Sequence, residues 1–296
     1  MPQALVFGGS GQIGTPLLAR LRDAGWRVVA VSRTRQADAP GVRWLRGDLA
    51  QCEGLPRSVD AIFSCGPLDQ FARWYAASTV DAPRVLAFGS TSVAVKRDSA
   101  DPHERDLARR LHAGEQGVFA AAAARGAQAT LLRPTLVYGA GRDRTLTRIA
   151  ELARRWGRFA LPRDARGLRQ PVHVDDLADA ALAALDASAA QARAFALPGG
   201  ETLPYREMVA RTLATLRPPP RLYDVPAPLF AAALLGARAL SRGGGFGHAA
   251  LARMREDLVF DATPAHAAFG YAPRPFRPGA GTFDPPRREP PGEAGP

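Results

Sequence analysis

The chain has 296 residues, of which 46% are hydrophobic and 23% are charged. These proportions are typical of a folded protein with a sizeable core, and they exclude wholesale disorder, a collagen-like repeat and a disulfide-stapled miniprotein. The net charge is +11, but Lys96 is the one lysine among 39 basic residues and the arginines are scattered along the chain. We therefore expect a solvated basic surface or an anionic small ligand, and no nucleic-acid partner.

The cysteines and histidines indicate neither a disulfide framework nor a metal site. Cys52 and Cys65 lack the paired spacing of zinc ligands, and the five histidines form no cluster. The N-terminus shows no basic leader before an apolar stretch, and the apolar run 228–240 is too short to span a bilayer. We interpret that run as a buried helix, with attachment to a membrane surface as the alternative. We expect a cytoplasmic protein without an integral membrane segment.

Short apolar runs alternate with helical patterns through the first half of the chain. Apolar positions at helical spacing from Ile13 to Leu21 predict a first helix that ends near Gly25, and an alanine-rich stretch predicts a long helix over 104–124. The predicted strands are 3–7, 27–31, 42–46, 59–63, 84–88 and 129–133. Strands that alternate with helices are typical of the α/β class, so we predict a Rossmann-type doubly wound parallel sheet with right-handed crossovers.

The regular alternation stops after Tyr138. The sequence then predicts a helix over 145–156, a second helix capped by Asp175 or Asp176, and a late strand at 195–198. Beyond that strand, proline and glycine separate short helical patterns.

This change of pattern predicts a division of the chain into a large domain, a small lobe and a tail. The Rossmann-type domain covers 1–198, and its segment 139–170 contributes to the second lobe. The smaller C-terminal lobe, which we expect to bind substrate, covers 199–276. Residues 277–296 are rich in proline and glycine with balanced charge, which predicts a disordered tail.

The strongest motif is a glycine-rich stretch between the first strand and the first helix. Gly8 permits a tight turn, Gly11 lets the backbone approach a pyrophosphate, and Gly14 lets the helix pack close to the sheet. The helix N-terminus offers unpaired N–H groups and a positive dipole end to phosphates. The sequence therefore predicts a dinucleotide-binding loop made of Gly8, Gly9, Ser10, Gly11, Gln12, Ile13 and Gly14.

The residues at the end of the second strand favour NADP over NAD. An acidic residue at this position would accept hydrogen bonds from the adenosine ribose 2′-hydroxyl of NAD. The sequence has Ser32 and Arg33 there instead, and a guanidinium pairs well with a 2′-phosphate. NAD is the alternative, in which Arg33 is one surface arginine among many.

Two further segments follow predicted strands and are candidates for cofactor contact. Asp48 could accept the adenine amino group while Leu49 packs on the ring, although a simple turn aspartate has the same pattern. Ser64, Cys65 and Gly66 lie where the fourth strand ends, at the edge where such sheets bind ligands. We interpret Cys65 as a packing residue and not as a nucleophile.

Five stretches together resemble the short-chain dehydrogenase/reductase superfamily, most closely its extended or atypical NAD(P)-dependent epimerase/dehydratase-like branch. The stretches cover roughly residues 1–200 and are the glycine-rich loop, Gly47-Asp-Leu49, Phe88-Gly-Ser-Thr-Ser-Val93, Leu132-Arg-Pro-Thr-Leu-Val-Tyr-Gly139 and Val172-His-Val-Asp-Asp-Leu-Ala178. The resemblance implies an NAD(P)-binding oxidoreductase or epimerase, adds Pro134 to the cofactor-binding residues, and makes a homodimer an expectation.

In the resembling proteins, a Ser or Thr after the fifth strand acts with a Tyr-x-x-x-Lys pair on the next helix. The tyrosine moves the hydroxyl proton, and the lysine lowers its pKa and holds the nicotinamide ribose. The resemblance therefore makes Ser90 and Thr91 candidate catalytic residues. This sequence has no Tyr-x-x-x-Lys, since the residue four positions before Lys96 is Ser92.

The helix expected to carry that pair offers other side chains. Glu115 resembles the glutamate that often follows the lysine by four positions, which places Leu107 at the tyrosine site and Leu111 at the lysine site. A different acid–base group would then be needed. The candidates are Lys96, His112 and Glu115, each of which could equally be an ordinary surface or loop charge.

Two hypotheses follow for function. The first is an NADP-dependent oxidoreductase or epimerase that uses hydride transfer on a nucleotide sugar or another hydroxyl or carbonyl metabolite, with a non-standard acid–base group. The second is a non-catalytic NADP(H)-binding protein with a regulatory or accessory role. The missing Tyr-Lys pair favours the second hypothesis, and the cluster Ser90, Thr91 and Ser92 favours the first.

Overall fold

The computed structural model describes residues 1–143, 145–230, 232 and 252–284. Its strands are β1 (Gln3–Phe7), β2 (Arg27–Ser32), β3 (Val42–Arg46), β4 (Ala61–Ser64), β5 (Arg84–Phe88), β6 (Gln128–Pro134), β7 (Val137–Tyr138), β8 (Arg158–Pro162), β9 (Leu168–Arg169), β10 (Val172–His173), β11 (Arg193–Leu197), β12 (Leu203–Pro204) and β13 (Arg221–Val225). Its helices are α1 (Gly14–Asp23), α2 (Leu68–Ala77), α3 (Ser92–Val95), α4 (Pro102–Ala124), α5 (Leu146–Trp156), α6 (Val174–Asp186), α7 (Tyr205–Ala214) and α8 (Thr263–Phe269).

A seven-stranded parallel sheet forms the centre of the molecule, in the order β11-β6-β5-β4-β1-β2-β3. The order reverses between β1 and β4, as in a doubly wound nucleotide-binding sheet. This arrangement confirms the predicted Rossmann-type fold.

Helices cover both faces of the sheet, which explains why its strands are apolar on both sides. Along β1, Ala4 and Val6 belong to the cluster with α1 and α6, whereas Leu5 and Phe7 belong to the cluster with α2 and α4. Successive side chains along a strand therefore pack into two separate hydrophobic cores, one on each face of the sheet.

Most predicted strands are confirmed, but two local predictions need correction. The fourth strand is Ala61–Ser64 and not 59–63, and helix α2 was not predicted at all. Helix α6 begins after His173, whose Nδ1 accepts the Asp175 N–H at 3.2 Å. The predicted cap by Asp175 or Asp176 is therefore wrong, because both residues lie inside the first turn.

A third hydrophobic cluster forms beside the sheet and includes α5, α7 and part of the chain's C-terminal portion. Parallel pairing of β13 with β8 adds a two-stranded sheet to it. Phe283 is fully buried in this cluster, and Arg154 donates to the Phe283 carbonyl oxygen at 3.1 Å. Residues 277–284, which the sequence assigns to a disordered tail, therefore pack on the lobe, because an aromatic side chain follows the prolines and glycines. The rest of the predicted tail, 285–296, lies outside the described residues.

No helix among the described residues combines the length and the apolar character that a membrane span requires. Most of the apolar run 228–240 lies outside the described residues, so the choice between a buried helix and a surface attachment stays a prediction.

Truncating Phe283 tests whether this segment belongs to the folded lobe. We expect Phe283→Ala to lower the free energy of unfolding by about 3–5 kcal/mol, because it empties a fully buried site. Leu229→Ala is the control, since Leu229 is 63% exposed, and it should change the value by less than about 0.5 kcal/mol. Equal chemical denaturation midpoints for the two variants would contradict the placement.

Candidate cofactor and active site

The predicted site residues follow the carboxyl ends of six adjacent strands, β6, β5, β4, β1, β2 and β3. Because the strands are parallel, these ends meet along one edge of the sheet. Ligands of open α/β sheets bind in the crevice at this edge, where the strand order reverses. The structure therefore brings the predicted loop, strand-end and hydroxyl residues to one side of the molecule.

The glycine-rich loop is closed by its own backbone. Gly8 has a φ of +74°, and its carbonyl oxygen accepts the Gly11 N–H at 2.9 Å. A Cβ on Gly14 would lie 2.1 Å from that same oxygen, and one on Gly11 would lie 3.0 Å from it. The first turn of α1 can therefore pack against the loop only because Gly14 has no side chain.

The loop contacts the end of β2 through hydroxyl groups. Ser10 Oγ lies 3.0 Å from Ser32 Oγ, which in turn lies 3.3 Å from Thr34 Oγ1. Arg33 lies between Ser32 and Thr34 in the sequence. Together with Arg46 it lines an open pocket of about 450 Å³. The other lining residues are Gly47, Asp48, Gln51 and Glu53. Two arginines thus line one pocket at the ends of β2 and β3, and the sequence analysis did not identify Arg46.

The Asp48 side chain stabilises a turn in this structure. Its Oδ1 accepts the N–H groups of Ala50 at 2.8 Å and Gln51 at 3.0 Å. These bonds, with the nearby charge of Arg33, hold the pKa of Asp48 below its usual range. Leu49 lies near Gly66, where an added Cβ would approach Leu49 Cδ1 to 3.3 Å. The turn role of Asp48 is visible, and its contact with adenine stays a prediction.

Two buried side-chain oxygens at this edge have no hydrogen-bond partner within the part of the chain that the structure describes. Ser64 is fully buried, and its Oγ has no hydrogen-bond partner among the described residues, as is the case for Gln12 Oε1 in the glycine-rich loop. Buried polar atoms usually find a partner, so each of these is a place where a ligand group could bind. Burial raises the pKa of the Cys65 thiol to about 12, which keeps it protonated and supports its interpretation as a packing residue.

Ser90 and Thr91, the two hydroxyl residues that follow β5, have different hydrogen-bonding roles. Thr91 is buried, and its Oγ1 donates to the Pro134 carbonyl oxygen at 3.2 Å. Ser90 is only partly buried, and its Oγ accepts the Ser92 N–H at 3.1 Å. The Thr91 hydroxyl thus links the segment after β5 to the end of β6. The Ser90 hydroxyl acts as an acceptor in its bond with Ser92, so its proton can be donated to a ligand.

The three side chains that the sequence offers in place of the Tyr-Lys pair are either bonded to other residues or exposed on the surface. Glu115 is 2% exposed and forms a bidentate ion pair with Arg133, with Nε to Oε1 at 2.6 Å. Lys96 Nζ lies 3.5 Å from Glu104 Oε1, and His112 is exposed on the surface of α4. Glu115 is therefore a structural carboxylate that holds α4 against β6, and it is not available as a general base.

One contact at this edge comes from a distant segment. Arg142 Nη1 donates to the Ser10 carbonyl oxygen in the glycine-rich loop. The two residues are 132 positions apart, and no local signal in the sequence distinguishes Arg142 from the many other arginines.

The comparison with known families fits this geometry. A family model described as the NAD dependent epimerase/dehydratase family matches residues 4–80 and 74–197. The chain belongs to this family. The match covers the glycine-rich loop, the strand ends and the hydroxyl cluster described above.

One curated relative is similar in sequence, and two solved structures are similar in fold. The chain is 28% identical over 251 residues to a 2-alkyl-3-oxoalkanoate reductase of Stenotrophomonas maltophilia (strain K279a), covering 73% of this chain and 76% of the relative. An epimerase from Methanothermobacter thermautotrophicus has a similar structure, with a TM-score of 0.69, 17% identity, and coverage of 93% of this chain and 89% of that chain. For the UDP-glucuronic acid 4-epimerase of Bacillus cereus in complex with UDP-glucuronic acid and NAD, the TM-score is 0.62 at 13% identity, with coverage of 92% and 94%.

The residues present fit the dinucleotide cofactor that defines this epimerase/dehydratase family. A Cβ on Gly11 would have no neighbour within 4 Å except the Gly8 carbonyl oxygen at 3.0 Å. The N-terminus of α1, which favours bound anions, directly follows the same loop. The unpartnered oxygens of Gln12 and Ser64 lie along the same edge.

Filling the open approach at Gly11 tests the loop. We expect Gly11→Val to abolish dinucleotide binding, because its branched side chain would occupy the path of the pyrophosphate. The fold should largely survive, since the added Cβ meets only the Gly8 carbonyl at 3.0 Å. Gly279→Val is the control, because nothing lies within 4 Å of a Cβ there. Unchanged cofactor affinity in Gly11→Val, measured by fluorescence titration, would refute the assignment.

Proposed function

We propose that this epimerase/dehydratase family member is an NADP(H)-dependent oxidoreductase that acts on a carbonyl or hydroxyl metabolite. The observation that carries the proposal is the pair of guanidinium groups, Arg33 and Arg46, in the pocket beyond Ser32. An acidic residue at the end of β2 would favour NAD, and this sequence has none there. A 2′-phosphate would instead gain two charge-assisted contacts.

The chemistry would take place at the ends of β4 and β5. When bound, the cofactor supplies or accepts a hydride at its nicotinamide ring. Ser90 would donate a hydrogen bond to the reacting oxygen, since Thr91 is already bonded to Pro134. Thr91 and the Glu115–Arg133 ion pair would hold the strand end that carries Ser90. The proton would move through water or through an acid–base group other than a Tyr-Lys pair.

The substrate class is proposed from the reductase of Stenotrophomonas maltophilia, whose name specifies a 3-oxo acid. We favour a carbonyl compound of this general kind over a nucleotide sugar, because that reductase is more similar in sequence than the nucleotide-sugar epimerases of similar fold.

A second candidate is binding of NADP(H) without turnover. It is favoured by one observation: in the register set by Glu115, the partly buried Leu107 and Leu111 stand where the tyrosine and lysine would be. Neither side chain can move a proton.

Single-turnover measurements decide between these two functions. The protein is titrated with NADPH and NADH, and the NADPH complex is then mixed with 3-oxo acids, aldehydes and keto sugars. Absorbance loss at the nicotinamide band supports the oxidoreductase. Tight NADPH binding with no hydride transfer to any of these carbonyl compounds supports the binding protein.

Removing the two pocket arginines tests cofactor choice. We expect Arg33→Ala and Arg46→Ala each to weaken NADPH binding by about 1.5–3 kcal/mol, because each loses a charge-assisted contact to phosphate. NADH binding should change little. Arg43→Ala is the control, since Arg43 lies exposed on β3 but does not line the pocket. Equal losses for both cofactors in a calorimetric titration would show that these residues do not bind the 2′-phosphate.

Removing the Ser90 hydroxyl tests its role toward substrate. We expect Ser90→Ala to lower the hydride-transfer rate by about 100-fold, as for loss of one donor to a reacting oxygen, with the NADPH dissociation constant nearly unchanged. Ser90→Thr keeps the hydroxyl and should recover much of the rate. A normal rate in Ser90→Ala would make Ser90 only a serine that follows the end of β5.

A further inference from the structure

We propose that Arg142 is a cofactor clamp: its guanidinium binds the pyrophosphate of the dinucleotide beside the glycine-rich loop. This proposal rests on dinucleotide binding at the glycine-rich loop, and it adds to that site a residue from the segment between β7 and α5. The clamp would complete the pyrophosphate site with a full positive charge, which the loop itself lacks.

The contact between Arg142 and Ser10 places the charge at the loop. Ser10 lies between Gly9 and Gly11, and its carbonyl oxygen accepts a hydrogen bond from Arg142 Nη1. A guanidinium has five N–H donors in a planar fork, so one can stay on the Ser10 carbonyl while others bind phosphate oxygens. The side chain is therefore next to the position where Gly11 leaves room for the pyrophosphate.

The residue that follows Arg142 is anchored to helix α5, and the residue that precedes it is a left-handed glycine. Gly141 has a φ of +60°, a left-handed conformation that glycine adopts without strain. Asp143 accepts the N–H groups of Leu146 at 2.6 Å and Thr147 at 3.1 Å, which ties it to the first turn of α5. Arg142 therefore directly precedes a residue that is anchored to the first turn of α5.

The charge of Arg142 is available to a ligand. The side chain is exposed, and no carboxylate of the described residues lies within 4.0 Å of its guanidinium. Many other arginines of this chain are paired, such as Arg20 with Asp175 and Asp179. A guanidinium that has no carboxylate partner within the described part of the chain, and that contacts the loop before α1, favours an anion at that point.

The alternative role for Arg142 is a tether that merely steadies the loop through the Ser10 carbonyl. Three substitutions separate the two roles. Arg142→Gln keeps an N–H donor for that carbonyl but removes the charge. Arg142→Lys keeps the charge and loses the fork, and Arg142→Ala removes both.

Binding measurements on these variants need no turnover. Dissociation constants are measured by calorimetry for NADPH, NADH and ADP-ribose, which all contain a pyrophosphate, and for adenosine 2′-monophosphate, which does not. Arg148→Ala is the matched control, because Arg148 is an exposed arginine on α5 that pairs with Glu151. Arg33→Ala is included because we expect it to weaken the binding of ligands that carry a 2′-phosphate and not of those that carry only a pyrophosphate.

We expect Arg142→Ala and Arg142→Gln to weaken all three pyrophosphate ligands by roughly 10- to 100-fold. Arg142→Lys should lie between these variants and the native protein, and Arg148→Ala should match the native protein. Binding of adenosine 2′-monophosphate should be unchanged by Arg142→Ala and weakened by Arg33→Ala.

Several results would overturn the clamp. Native affinity in Arg142→Gln would show a tether, and a loss confined to NADPH would show a contact with the 2′-phosphate. Native affinity in Arg142→Ala would show no role at all. If the native protein binds no pyrophosphate ligand, dinucleotide binding itself fails and the clamp fails with it, whereas the other three results refute the clamp alone.

Discussion

The approach of helix α1 to the glycine-rich loop is the constraint on which the ligand-binding edge depends. A Cβ on Gly14 would lie 2.1 Å from the Gly8 carbonyl oxygen, far inside any allowed contact. The absence of that atom lets the helix begin directly beneath the loop, so its N–H groups face the crevice. A Cβ on Gly9 would approach Trp44 Cη2 to 3.2 Å, so the same loop also packs toward β3. The loop is therefore packed between the start of α1 and a side chain of β3.

Arginine has two distinct roles in this protein. Several guanidinium groups are paired with carboxylates and hold elements together, as Arg206 does with Asp224 and Arg133 does with Glu115. Others stand at the edge of the sheet, where Arg33 and Arg46 share a pocket and Arg142 touches the loop. A high arginine content alone does not indicate a binding site. The spatial distribution of the pairs decides which charges can bind an anion.

The Glu115–Arg133 pair shows how tertiary context changes the chemistry of a residue. The buried Glu115 carboxylate accepts two N–H groups from the Arg133 guanidinium, and removing either partner would leave an uncompensated charge. The pair lies next to the segment that carries Ser90, since a Cβ on Gly89 would be 3.5 Å from Glu115 Oε1. Its contribution is therefore to fix the end of β5, and proton transfer has to come from another group.

The sequence by itself determined the parallel sheet and the loop, because both depend on local patterns. Apolar runs of strand length and three glycines at fixed spacing are properties of a few adjacent residues, and the predicted strands 3–7, 42–46 and 84–88 match the structure residue for residue. Only the tertiary structure placed Arg142 on the loop, paired Glu115 with Arg133 and buried Phe283. Each of these depends on contacts between segments far apart in the chain. A local pattern shows what a residue can do, and its distant neighbours decide which of those roles it has.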